Sequence, residues 1–139
     1  MVVTPEDRSA LILVEVDALV RMTAADLLSD QGYRVIEARQ ADEALGLLDR
    51  DHDVRAIFTD VDLPGPFDGF ALARIVDMRW PGIGIVATSD QVLPGPGDLP
   101  MGARFIRKPY AGFTLLRVIE AVLGPVGCEG RKADERLKS

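Results

Sequence analysis

Sulfur chemistry is almost absent from these 139 residues. One cysteine, Cys128, excludes a disulfide framework and any cysteine-based zinc site. There is also one histidine, His52, among Asp49, Asp51 and Asp53, and that polar setting reads as an exposed loop rather than a catalytic base. No apolar stretch approaches the roughly 20 residues that span a bilayer. Met1 to Asp7 has neither the basic nor the apolar region of a signal peptide. Basic residues are in deficit, 16 against 22 acidic, and the net charge of −6 argues against a nucleic-acid surface. The expectation is a cytoplasmic protein with neither nucleic acid nor membrane as partner.

What is present suits one globular domain: 47% hydrophobic and 27% charged residues in a length that supports a single core. Apolar runs alternate with amphipathic stretches. Ala10 to Val14 reads as a buried strand, followed by a helical stripe of Leu19, Val20, Met22, Ala25, Leu27 and Leu28 closed by Gly32. Tyr33 to Ala38 is a second strand, and Ala41, Ala44, Leu45, Leu47 and Leu48 mark a second helix. A third strand covers Val54 to Thr59, with a helix from Phe67 to Trp80, where Trp80 packs at the helix end. Strand four spans Gly82 to Ala87, strand five Ala103 to Arg107, and a last helix runs from about Ala111 to Leu123.

That alternation predicts an α/β fold, a doubly wound five-stranded parallel sheet in the flavodoxin-like order 2-1-3-4-5. The connection between strands four and five, Val92 to Pro100, holds three prolines and two glycines, so its helix is expected to be short or absent. The predicted organisation is an N-terminal extension at 1–8, one domain at 9–123, and a disordered charged tail at 124–139.

Parallel strands bring their C-terminal ends to one edge, where ligands bind. Strand one ends in Glu15 and Asp17, strand three in Asp60 and Asp62, strand four in Thr88, Ser89 and Asp90, and strand five in Lys108. Such a set suits a phosphoryl group. A carboxylate can form an acyl phosphate, magnesium takes carboxylate oxygens, and a hydroxyl and an ammonium can donate to phosphoryl oxygens.

In these motifs the chain resembles the receiver domain of two-component response regulators. They are the acidic end of strand one, Thr59-Asp60-Val61-Asp62-Leu63-Pro64-Gly65 followed by Asp68-Gly69, Ala87-Thr88-Ser89, and Lys108-Pro109-Tyr110, in the family's order over roughly Ser9 to Leu123. The resemblance implies that Asp60 accepts a phosphoryl group from a histidine kinase or phosphotransfer protein. It implies that Thr88 and Lys108 contact that group, that Phe105 holds an aromatic switch position, and that the Lys108–Pro109 bond is cis.

The chain departs from the family on strand one. Receivers carry two adjacent acids there; Glu15 matches the first, and Val16, which offers no oxygen, falls on the second. Asp17 or Asp62 is the expected replacement, giving a magnesium site of Glu15, Asp17, Asp60 and Asp62 with weakened affinity. The expected output is protein–protein contact with an unknown downstream protein, by a monomer or weak dimer without enzyme activity beyond slow self-dephosphorylation. A pseudo-receiver that docks without chemistry is the alternative reading. Asp60-Val61-Asp62 also resembles the nucleophile motif of haloacid-dehalogenase-like phosphatases, although that motif normally ends the first strand.

Overall fold

The computed structural model describes residues 10–123. The N-terminal extension, the tail and Cys128 lie outside the described residues. Five parallel strands form one sheet: β1 (Ala10–Val14), β2 (Arg34–Ala38), β3 (Val54–Asp60), β4 (Gly84–Ser89) and β5 (Arg104–Arg107). Their order is β2-β1-β3-β4-β5, the flavodoxin-like arrangement. The helices are α1 (Ala18–Asp30), α2 (Ala41–Arg50), α3 (Gly69–Arg79) and α4 (Gly112–Leu123).

The central strands read as continuous apolar runs because both faces of the sheet are covered. In β1, Ala10, Ile12 and Val14 pack with Ala44 and Leu48 of α2 and with Leu72 and Val76 of α3. Leu11 and Leu13 point the other way, onto Ala24 and Leu28 of α1 and Leu115 and Ile119 of α4. Burying both faces fixes the register, because a one-residue slip would exchange the two cores. The C-terminal strand ends are therefore held in fixed relative positions.

No helix joins β4 to β5; the connection turns at Gly95–Asp98 and Pro100–Ala103 instead. Asp98 closes the first turn, with its Oδ2 accepting from Gly95 N at 2.7 Å, and Arg74 of α3 ties the segment down through Asp98 O at 3.1 Å. Leu99 packs with Val61, Phe70, Ala87 and Phe105.

Two elements depart from the expectation by two residues, and the other boundaries fall within one. Strand β4 lies two residues later, because Ile83 N donates to Trp80 O at 3.0 Å and keeps 82–83 in the turn after α3. Helix α3 begins at Gly69 rather than Phe67, because the Asp68 side chain caps it by accepting from Ala71 N at 2.8 Å. Trp80 closes this helix with the Arg79 guanidinium 4.4 Å above its ring, and His52 is exposed.

Candidate functional site

The edge at the C-terminal ends of β1, β3 and β5 gathers Glu15, Asp60 and Lys108. Glu15 and Asp60 are only 4% and 6% exposed, a costly environment for carboxylates that carry no counter-charge. Lys108 supplies it: its Nζ lies 2.7 Å from Glu15 Oε1 and 3.1 Å from Asp60 Oδ2. The Lys108 backbone is anchored by its own N–H, which donates to Ser89 O at 3.0 Å, and the Lys108–Pro109 bond is cis. The two remaining carboxylate oxygens accept backbone N–H groups, Glu15 Oε2 from Asp17 at 3.2 Å and Asp60 Oδ1 from Asp62 at 3.1 Å.

The electrostatics follow from this arrangement. Burial raises the Asp60 pKa above its ordinary value of 3.8, and nearby Glu15 adds to the rise, while Lys108 and the Asp62 N–H oppose it. Burial alone would lower the Lys108 pKa; hydrogen bonds to Glu15 and Asp60 outweigh it and leave the ammonium above 10.5. A poised nucleophile beside a permanent cation is the result.

The turn after β3 is shaped by close packing. Gly69 N donates to Val61 O at 2.8 Å. A Cβ on Gly69 would overlap Asp60 O and Val61 Cα, so a side chain at 69 would push the Asp60 backbone out of place. This is the physical content of the Asp68-Gly69 motif.

The two hydroxyls at the end of β4 behave differently. Thr88 is the register partner of Asp60, but it is 2% exposed and its Oγ1 has no hydrogen-bond partner. Ser89, one residue on, donates from Oγ to Asp62 Oδ2 at 3.0 Å and accepts N–H groups from Gln91 at 3.1 Å and Val92 at 3.0 Å. Ser89 is therefore the hydroxyl the structure joins to the acidic cluster, and the sequence reading passes over it in favour of Thr88. The signal for it lies in strand alternation. Phe105 pairs with Ala87, and the next residue on that face is Ser89. Phe105 itself is packed with Ala87, Val61, Phe70 and Leu99.

The expected four-carboxylate metal set does not assemble. Asp17 is exposed and is the N-cap of α1, its Oδ1 accepting from Val20 N at 3.0 Å. Asp62 is exposed and engaged with Ser89. Val16 stands 48% exposed at the strand end and offers no oxygen. Among the described residues no group of three or more His, Cys, Asp or Glu is placed to hold a metal ion. Receiver domains typically bind magnesium at this acidic pocket. Here the residues that converge are two carboxylates already bridged by an ammonium, and they do not fit the expected set.

A doubly wound parallel sheet with a buried aspartate and a lysine at its carboxyl edge defines the class of protein. The model of the response regulator receiver domain matches residues 11–95, and the chain belongs to that family. Among solved structures it is similar to the receiver domain of the hybrid histidine kinase CckA, at 27% identity and a TM-score of 0.71, covering 83% of this chain and 99% of that one. The chemotaxis response regulator CheY4 of Vibrio cholerae gives 25% identity and 0.72, covering 84% and 99%. NtrX from Brucella abortus gives 26% and 0.78, but 95% of this chain covers only 31% of that one. No curated protein sequence matches this chain. Receiver domains are signalling modules of two-component systems and act with histidine kinases or phosphotransfer proteins. No helix among the described residues is long and apolar enough to cross a membrane.

Proposed function

We propose that Asp60 accepts a phosphoryl group from a phosphohistidine on a histidine kinase or phosphotransfer protein, and that the chain signals through protein contacts. The observation that carries this is the Lys108 ammonium held between buried Glu15 and Asp60. An Asp60 carboxylate oxygen attacks phosphorus, the P–O bond forms as the donor P–N bond breaks, and the electron pair returns to the imidazole nitrogen. Lys108 keeps Asp60 ionised against burial and donates to the incoming phosphoryl oxygens. Ser89 supplies the hydroxyl, ahead of Thr88. Both are buried, but the Thr88 Oγ1 has no hydrogen-bond partner whereas Ser89 Oγ already donates to Asp62 beside Asp60.

The rim also suits a protein donor. Leu19, 74% exposed, lines a groove with Thr23, Ala24, Lys108, Tyr110 and Gly112, and Val16, next in the chain to Glu15, is 48% exposed. Incubation with acetyl phosphate, with and without magnesium, followed by intact-mass measurement tests the reading. One added phosphoryl group that disappears in Asp60→Asn supports it; no addition overturns it.

A second reading is favoured by Val16 and by the helix-capping role of Asp17. In it the same face docks a kinase without accepting phosphate, and Mg2+ has no part. The mass measurement separates the two. A cytoplasmic location and a monomer or weak dimer accompany both.

A further inference from the structure

We propose that Arg21 is a positioning residue for Asp60 that acts through Glu15. It clamps the Glu15 backbone, so that the Glu15 carboxylate draws the Lys108 ammonium partly off the nucleophile. The inference rests on the reading of Asp60 as phosphoryl acceptor. The ladders of β1 with β2 and with β3 both end at Val14, so Glu15 stands just beyond them. Its peptide groups are held from two sides. The Glu15 N–H donates to Ala38 O at 3.0 Å, and the Glu15 carbonyl accepts from Arg21 Nη1 at 2.8 Å. The next residue, Val16, is 48% exposed and has no polar side chain to anchor the turn.

Arg21 can clamp because it is itself held at both ends. Its backbone N–H donates to Asp17 O at 2.9 Å, in the first turn of the helix that Asp17 caps. Its Nε donates to Glu37 Oε1 of β2 at 2.9 Å. The planar fork of N–H donors lets one arginine serve a carbonyl and a carboxylate at once, which a lysine ammonium cannot do as rigidly. Glu37 is 44% exposed at its side chain, so the ion pair itself adds little to stability. The consequence lies at the other arm of the fork, on the backbone of a nearly buried carboxylate.

Glu15 has to be fixed because Lys108 is shared unequally. Nζ is 2.7 Å from Glu15 Oε1 and 3.1 Å from Asp60 Oδ2. The first is the length of a strong charge-assisted bond, and the second lies beyond that range. An ammonium drawn closer to Asp60 would stabilise the resting carboxylate more than the transition state, in which that oxygen passes charge to phosphorus. With the Glu15 carbonyl released, its carboxylate retreats from Lys108 and the ammonium closes on Asp60.

The test compares Arg21 with Arg79, whose guanidinium bonds Asp49 at 2.8 Å between the C-terminal ends of α2 and α3, away from the acidic edge. Uptake from acetyl phosphate is timed by intact mass on the full chain, and the Lys108 ammonium is followed by nitrogen NMR without donor. Arg21→Ala should slow uptake on the order of tenfold, as displacing a group beside the reacting atoms does, and should shift the ammonium signal. Arg21→Lys should fall between Arg21→Ala and the native chain, while Glu37→Gln, which keeps an acceptor oxygen, should stay near native. Arg79→Ala should change neither reading. Native-like uptake in Arg21→Ala, an equal loss in Arg79→Ala, or an unmoved ammonium signal in Arg21→Ala overturns the proposal alone. No uptake by the native chain overturns the acceptor reading and this proposal with it.

Discussion

The two flanks of Asp60 are built differently. On one, Lys108 joins Glu15 and Asp60 in a buried ion-paired cluster, its members contributed by three strands that the two cores hold in register. On the other, an exposed Asp62 meets Asp60 through its backbone N–H and a buried Ser89 through its carboxylate, and the chain continues from Ser89 into a segment without a helix. Buried paired charges are costly to disturb, because removing one partner leaves the other charge unpaired; a single hydroxyl–carboxylate hydrogen bond contributes less. The first flank holds the nucleophile by charge, and the second touches it only through the Asp62 backbone N–H.

The largest expected effect breaks the first flank at its centre. Asp60→Asn should lose all phosphate uptake from acetyl phosphate, read by intact mass. Next, Lys108→Met leaves Glu15 and Asp60 buried without a cation and should destabilise the fold by about 3 kcal/mol at neutral pH, measured by urea unfolding. The loss should shrink in acid, where the carboxylates protonate. Equal losses at both pH values would contradict the ion-paired arrangement.

Two smaller effects sharpen the contrast. Leu99→Ala, on the second flank, removes a partly buried side chain and should cost roughly 1–2 kcal/mol, below the range for a fully buried leucine. Val16→Asp restores an oxygen at the strand-one position and should tighten magnesium binding by an order of magnitude or more in a calorimetric titration. The native chain should require tens of millimolar. Equal affinities would mean that the two converging carboxylates suffice.

The smallest effect concerns pH. The Asp60 pKa is raised in the folded state, so the stability it contributes is present below its ordinary value of 3.8 and lost as pH rises through the raised value. Native stability should therefore fall across that interval relative to Asp60→Asn. A parallel pair of pH–stability curves would show that Asp60 is not strained by burial.

The fold was legible because both faces of the sheet are covered, so the strands appear as unbroken apolar runs such as Ala10 to Val14, and the prolines at 94, 96 and 100 rule out a regular helix before β5. Asp60 and Lys108 were legible because each ends such a run. The choice between Thr88 and Ser89 was not. Placing β4 at 82–87 makes Thr88 the first residue past the strand, whereas the Trp80–Ile83 turn moves the strand end to Ser89. Asp17 was misplaced for a similar reason. Read as a possible ligand, it is an aspartate directly before a helix, where capping the backbone competes with any other use. Nothing local in the sequence marks the bond between Asp62 and Ser89, 27 residues apart.

Intact-mass measurement after acetyl phosphate treatment, native chain beside Asp60→Asn, tests the role of Asp60 most directly. The predicted result is one added phosphoryl group on the native chain and none on the variant. No addition to the native chain, or an addition that survives in Asp60→Asn, would contradict it.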